Sequence, residues 1–490
     1  MSLYKNLFKQ TAIYGLATVL PRMISFLLVG LHTDLMPTNL YGDVTIVLAW
    51  MVFFNVILSY GMETAFFRFY NTEDNKKSVV ATTTISIFWS SIIFLSVALL
   101  FRKNLAEWAN VDSQYVTYAI WILVLDALTI IPFCKLRVFQ KPMKFAIIKI
   151  GNVIVNLGLN IFFLYSLPII ATYNPDGFWS SFYIIDFQVG YVFIASLLSS
   201  VATLIVFIPD YFSLRWKFDK HVWRKMTTYG FPILIAGLAF GVNEHLDKIL
   251  LGNLLPQNIA KSEVGAYAAC YKIGLFMVLF RTAYTLGIEP FFFSYAKEEN
   301  APQTYAAITK YFVLFGSVIL LFVVVFADVL KHLLVRNPDY WVAMKVVPLI
   351  ILANFFLGIY TSLSIWYKLI DKTTIGAYIS IVGALITLLL NFILIPKYSY
   401  MGSAIATLAA YGTMMFVSYY FGAKYYPIPY DTEKIAGYLG VSILLSGLSF
   451  YVPLFRESYI FGVVALLIFG YFIYYNEKET LLKILKRKTN

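Results

Sequence analysis

Fourteen apolar stretches follow one another along this chain. They lie near residues 9–32, 41–67, 79–101, 115–134, 145–170, 184–208, 228–252, 264–290, 304–328, 341–367, 375–395, 401–423, 435–454 and 458–475. A helix needs about 20 mostly apolar residues to cross about 30 Å of hydrocarbon. Inside lipid only a helix or a closed barrel satisfies every backbone N–H and C=O. The stretches are continuously apolar and do not alternate, so they predict helices. The expected fold is all-α: a polytopic integral membrane protein of about 14 transmembrane helices. The last two stretches are short and close together, and read either as two full spans or as a re-entrant pair. Composition agrees, with 60% hydrophobic and 13% charged residues, against about 25% charged in soluble domains. No connection is long enough to house a soluble catalytic domain. The opening MSLYKNLFKQ leads into an apolar run that continues past Gly30. That is longer than the core of a cleavable signal, so a retained first span is expected.

The net charge of +12 suggests nucleic acid until the charges are placed. Put the N-terminus inside. The inner segments then carry 25 Lys and Arg and the outer loops 7. Lysine and arginine collect in cytoplasmic loops of membrane proteins, so both termini are expected in the cytoplasm and no nucleic-acid partner is needed. The tail NEKETLLKILKRKTN reads as a solvated basic end or as a helix lying on an anionic leaflet. Cys134 and Cys270 sit in or beside apolar stretches and do not form a disulfide framework. The four histidines have no metal-ligand spacing. No P-loop and no nucleophile elbow is present.

An internal repeat shows in short motifs. Tyr14-Gly15 opens span 1 and Tyr229-Gly230 opens span 7. GMETAFF (61–67) ends span 2 and GIEPFFF (287–293) ends span 8. The offsets of 215 and 226 residues imply a loop insertion of about eleven between them. Six spans per unit make a parallel repeat, a plan used by secondary transporters. The expected division is a six-helix bundle over 1–214, a second over 215–427, two further helices over 428–475 and a basic cytoplasmic tail over 476–490.

Ionised groups near the bilayer centre are costly and usually face a cavity or a partner. Arg22 follows Pro21 in span 1, where proline favours a kink. It reads as an anion contact on a moving gate or as the ion-pair partner of Asp126. Asp126, near the middle of span 4, reads as a proton or Na⁺ carrier or as that counter-ion. In span 7, Glu244 and Lys248 share a helix face with Asp247 beside it. They form either a self-compensated cluster or a substrate-facing lysine with two coupling carboxylates. Lys272 in span 8 reads as a further anion contact, and Arg281, nearer the inner side, as another or as a residue that snorkels. Glu63 and its repeat partner Glu289 read as anchors or gates, and Arg68 closes span 2. Lys310 and Lys345 sit close enough to span ends to snorkel. Asn152, Asn156 and Asn160 are spaced i, i+4, i+8, a polar stripe that joins helices or faces a sugar.

The segments YGLATVLPRMISFLLVG, YGMETAFFRFY and YGFPILIAGLAFGVNEHLDKILLG resemble the polysaccharide transporter family. That family belongs to the multidrug/oligosaccharidyl-lipid/polysaccharide (MOP) flippase superfamily, and the likeness extends over the whole chain in length, span count and 6+6+2 layout. It is similar above all to Wzx-type O-antigen flippases. The resemblance implies a MATE-like, V-shaped pair of bundles that alternates between inward- and outward-open states. It implies transport of an undecaprenyl-pyrophosphate-linked oligosaccharide across a bacterial inner membrane, with H⁺ or Na⁺ coupling in some members and no bound cofactor. The family's span-1 arginine maps onto Arg22. A basic cavity lined by spans 1, 2, 7 and 8 is implied, offering Lys248 and Lys272, with Arg281 after them. Lipopolysaccharide assembly proteins, including a polymerase, are the implied partners, beside membrane lipids. A lipid II flippase or a cation-coupled multidrug exporter of the same superfamily is the alternative. The exporter predicts a cavity dominated by carboxylates. A membrane enzyme would need a large outer loop with catalytic residues.

Overall fold

A computed structural model describes residues 2–295, 298–370, 372–456 and 459–488. At 2–12, 14, 18, 22, 25, 287, 289, 290, 293, 294, 459 and 480–488 it describes backbone only. The described residues form helices and no strands. Fourteen of these segments are long and apolar enough to cross a membrane. In chain order the helices that build them are α1 (Ser2–Leu35), α2 (Thr38–Ser59), α3 (Lys76–Leu100), α4 (Ser113–Val138), α5 (Pro142–Ile161), α6 (Gln188–Phe212) and α7 (Lys220–Leu254). The rest are α8 (Gln257–Tyr271), α9 (Ala301–Val325), α10 (Val347–Leu363), α11 (Thr373–Tyr398), α12 (Tyr400–Tyr425), α13 (Thr432–Tyr451) and α14 (Tyr459–Lys488). Each of the last two is by itself long enough to span, which favours two separate spans over a re-entrant pair.

Four spans are broken. Span 2 breaks after α2, where Tyr60 and Gly61 take positive φ of 29° and 74° before a short helix, Met62–Thr72. Span 5 carries a π-helical turn at Phe162–Ser166 and ends in the short helix Leu167–Tyr173. Span 8 tightens to a 3₁₀ turn at Lys272–Gly274 and continues as Leu275–Tyr295. Span 10 enters through a 3₁₀ segment, Pro338–Val346.

The repeat extends well beyond the two motifs. Lys76–Leu100 and Ala301–Val325 are both 25 residues long and start 225 residues apart. Each is followed by an eight-residue helix, Arg102–Ala109 and Ala327–Leu334. Each of these leads to a side-chain N-cap, Asp112 and Asn337, again 225 apart. The ends of α1 and α7 are only 219 apart. The offset therefore grows inside spans 1 and 2 in steps, and a single loop insertion does not account for it.

Packing divides the chain into two units, residues 1–268 with 391–399, and 269–390 with 400–490. In the first, α2 runs along α7 and the start of α8 through glycines. A Cβ on Gly42 would lie 2.0 Å from the Lys261 carbonyl oxygen, and one on Gly265 would lie 1.9 Å from that of Thr38. Backbones approach this closely only where side chains are missing. At the other end of α2, a Cβ on Gly61 would meet the Gly230 carbonyl oxygen at 2.3 Å. The second unit has a wide buried centre in α10. Here Lys310 of α9 does not snorkel: its ammonium pairs with the buried Glu477 of α14 at 2.8 and 3.0 Å. Lys434 at 3.2 Å and the Tyr438 hydroxyl at 2.9 Å, both from α13, donate to the same carboxylate. This network fastens the last two spans to α9. Lys345 is exposed at the start of span 10.

Candidate functional site

Polar residues at helical spacing line one cavity inside the first unit. On α4, Asp126, Thr129, Phe133 and Arg137 recur every three or four residues and so share a face. On α5, Lys149 and Asn152 do the same, three apart. Asn55 and Ser59 from α2, Glu63 just past the Gly61 break, and Thr203 from α6 complete a cavity of about 540 Å³. Asp126 and Arg137 are eleven residues apart on one helix, which puts about 16 Å between them along the axis. The cavity thus runs from the end of α4 to mid-span.

The carboxylate of Asp126 accepts from Ser200 Oγ at 2.7 Å. Arg137 pairs with Glu63 at 2.9 Å, both half-exposed, and lies 4.6 Å from the centroid of the Phe67 ring. Lys149 lies 4.2 Å from the centroid of the Phe133 ring and has no ion pair among the described residues. A ring face is a weak partner for an ammonium compared with a phosphate. The cavity therefore holds two cations that an anion can engage and two carboxylates that a proton or metal cation can neutralise.

The asparagine stripe starts at this cavity and leaves it. Asn152 donates to Ser199 O at 3.0 Å and to Thr203 Oγ1 at 2.9 Å. Asn156 donates to Ser196 Oγ at 3.1 Å. Asn160 hydrogen-bonds His32 at 2.9 Å. The stripe ties α5 to α6 and, at its far end, to α1.

In the same unit, Glu244, Asp247 and Lys248 are not among the residues lining this cavity. In α7, Lys248 is buried and pairs with Asp247 at 2.8 and 3.0 Å. It also donates to the Glu244 carbonyl at 3.3 Å. The Tyr267 hydroxyl donates to Asp247 at 2.7 Å. Asp247, next in sequence, thus stands as a carboxylate partner of Lys248. Lys272 and Arg281 belong to the second unit, at the 3₁₀ turn and one helix further on; Arg281 packs beside Gly358 of α10. The side chains of Arg22 and Glu289 lie outside the described residues, as do those of the basic tail beyond 479. Arg68 stands 4.3 Å from the Tyr229 ring centroid.

Two members of the cavity, Lys149 and Arg137, escape a count of charges by side, which assigns both to the inner segments. The available signal was register: Lys149 stands three residues before Asn152, on the stripe's own face. The repeat adds a second observation. At the offset of 225, Asp126 corresponds to Ile351 and Arg137 to Ser362. The same helix in the second half forms without either charge, so the helix itself does not require them.

A polytopic helical bundle repeated in tandem, with a charged cavity inside one unit, defines a membrane transporter class. A family model described as "Polysaccharide biosynthesis protein" matches residues 7–285, and a MatE family model matches residues 232–393. The chain belongs to the polysaccharide biosynthesis protein family, within the MOP superfamily of flippases and transporters. Among solved structures it is similar to the lipid II flippase MurJ in an inward closed conformation, with 14% identity, a TM-score of 0.71 and coverage of 95% of this chain and 99% of that one. It is also similar to a mutant of the Vibrio cholerae MATE transporter VcmN, at 16% identity and TM-score 0.56, covering 86% and 97%. A MOP superfamily transporter from Pyrococcus furiosus matches at 14% identity and TM-score 0.57, covering 89% and 97%. No curated protein matches the sequence. The homologous families are transporters and flippases, not enzymes.

Proposed function

We propose that this chain flips an undecaprenyl-pyrophosphate-linked oligosaccharide, an O-antigen or other surface-polysaccharide repeat unit, from the inner to the outer leaflet of a bacterial cytoplasmic membrane by alternating access. The observation that carries this reading is the family match over 7–285, which takes in the whole charged cavity. A pyrophosphate carries about two negative charges and does not cross bare hydrocarbon. Lys149 and Arg137 are suited to hold such a group, Arg137 by exchanging Glu63 for the phosphate. Arg22, Lys272 and Arg281 are further candidate contacts. Lys248, held by Asp247, contributes to head-group binding only if that pair opens. Asp126 and Glu63 are the candidates for H⁺ or Na⁺ coupling, with Glu244, Asp247 and Glu289 as gating candidates. The lipid tail stays in the bilayer while the head passes. Both termini are cytoplasmic in this reading, and a polymerase receives the product outside.

The second reading is a lipid II flippase, since the same fold carries that activity in MurJ. Deleting the gene in a strain with a visible surface glycan, and labelling lipid-linked sugars on each leaflet, separates the two. Loss of outer-leaflet glycan precursor with intact peptidoglycan supports the first. Unchanged outer-leaflet sugar refutes it. Lys149→Ala and Arg22→Ala, at matched expression, are each expected to lower delivery at least about tenfold; full activity in both removes the cationic-site assignment.

A further inference from the structure

We propose that the segment from Phe212 to Lys225, which joins α6 to α7, is a docking surface for anionic phospholipid headgroups. It holds Arg215, Lys217, Lys220, Arg224 and Lys225 against a single acid, Asp219. That acid is committed elsewhere: its carboxylate accepts from the backbone N–H of His221 at 3.0 Å and of Val222 at 3.2 Å, and from Ser78 Oγ at 3.2 Å. Lys225 is committed too, to Glu73 at 2.9 Å. Arg215, Lys217, Lys220 and Arg224 are exposed and have no carboxylate partner among the described residues.

Three large rings stand among these cations. Phe212, Trp216 and Phe218 are 86%, 51% and 46% exposed. Such exposure is unfavourable in water and ordinary at the level of lipid headgroups, where aromatic side chains collect. The segment begins on the last residue of a membrane-spanning helix, which places it at that level. A basic and aromatic surface there matches an anionic leaflet. The connection at the other end of α6, residues 174–187, shows that this bundle does not need cations to close a loop. It exposes Phe178 and Ile185 and holds Asp176 and Asp186 with no Lys or Arg.

The platform is also held in place. The Trp216 ring meets that of Phe88 edge-on, with centroids 5.3 Å apart. Trp223 Nε1 donates to Ser86 Oγ at 2.8 Å, and the Asp219 N–H donates to Thr82 Oγ1 at 3.1 Å. The backbone is thus tied to α3, and the four cations project from a fixed base. Less ordering is needed on binding than for a free basic tail. The assignment rests on the cytoplasmic placement of this end, where anionic lipid is presented.

The test uses the full chain in nanodiscs with an environment-sensitive fluorophore on Ser213→Cys, since Cys134 and Cys270 are buried. Phosphatidylglycerol and phosphatidylcholine, each nitroxide-labelled at the headgroup, serve as quenchers. Each basic side chain at an anionic surface is worth roughly a fivefold preference at low salt. Phosphatidylglycerol is therefore expected to quench at least about threefold more. The preference should vanish at high salt and in the variant R215Q/K217Q/K220Q/R224Q, and persist in R215K/K217R/K220R/R224K, which controls for folding. Equal quenching by the two lipids, or a preference that survives charge removal, overturns the proposal. So does a label reached only by aqueous iodide. If one equivalent of a polyprenyl pyrophosphate abolishes the preference, the surface belongs to the transported lipid instead and the proposal fails.

Discussion

Single residues decide where charge can reside in this molecule. Lys149 faces Phe133 with no carboxylate partner among the described residues, whereas Lys248 is enclosed by Asp247 and Tyr267. Both look alike in sequence, a lysine inside an apolar run. They differ in what the fold brings beside them. Asp247→Asn is expected to destabilise the protein by about 3 kcal/mol, because removing one partner leaves a buried charge uncompensated. Lys149→Met should cost little stability, since no close ion pair is lost. Thermal unfolding in one detergent compares the two, and the reverse order refutes the distinction. Gly61 makes a second residue-scale test. Its φ of 74° and its approach to Gly230 exclude any side chain, so Gly61→Ala is expected to lower stability by at least about 2 kcal/mol. An unchanged melting temperature shows that the α2–α7 approach can relax.

At the scale of elements, buried charge acts as a fastener. Glu477 joins α14 to α9 and α13 through Lys310, Lys434 and Tyr438. Glu477→Ala strands the ammonium of Lys310 and should loosen the last two helices, at a cost of about 3–5 kcal/mol. Limited proteolysis at the 426–431 connection reads this. Lys310→Met with Glu477→Leu should restore protease resistance, because the stranded charge is then gone. Outside the membrane, the helix Ala327–Leu334 is tied to the segment before α14 by Asp328. Burial alone would raise that carboxyl, but hydrogen bonds from Arg456 and Lys331 and their positive charges outweigh it and hold it at about 2. The ordinary value is 3.8. The folded value is depressed, so this contribution is complete above about pH 4 and is lost as pH falls through about 2. Asp328→Asn is expected to lower stability at pH 7 and to flatten its fall between pH 4 and 2. A variant whose acid profile matches the parent's refutes the assignment. The number of spans was legible beforehand: apolar length predicted fourteen, and fourteen long apolar segments formed. The breaks at Tyr60-Gly61, Phe162–Ser166 and Lys272–Gly274 were not, since each depends on neighbours that one helix's own sequence does not name.

For the whole molecule, the charge count predicts orientation: a cysteine placed in the 213–219 connection should react with an impermeant maleimide only from the cytoplasmic side, and one at Lys397 only from outside. Labelling in the opposite sense inverts the topology and removes the lipid-surface proposal with it. Length and hydropathy determined by themselves that this chain is a helical membrane protein, and short matching motifs pointed to a repeat. They suffice because lipid leaves the backbone few alternatives and every span obeys the same hydrophobic rule. Sequence also singled out Asp126, Glu63 and Asn152, since polar groups in apolar runs are conspicuous. Only the tertiary structure decided that these three share a cavity with Lys149 and Arg137, that Asp247 encloses Lys248, and that Lys310 is paired and not at the surface. An ionic contact depends on which faces of distant helices meet at distances near 3 Å, and hydropathy carries no information about that rotation.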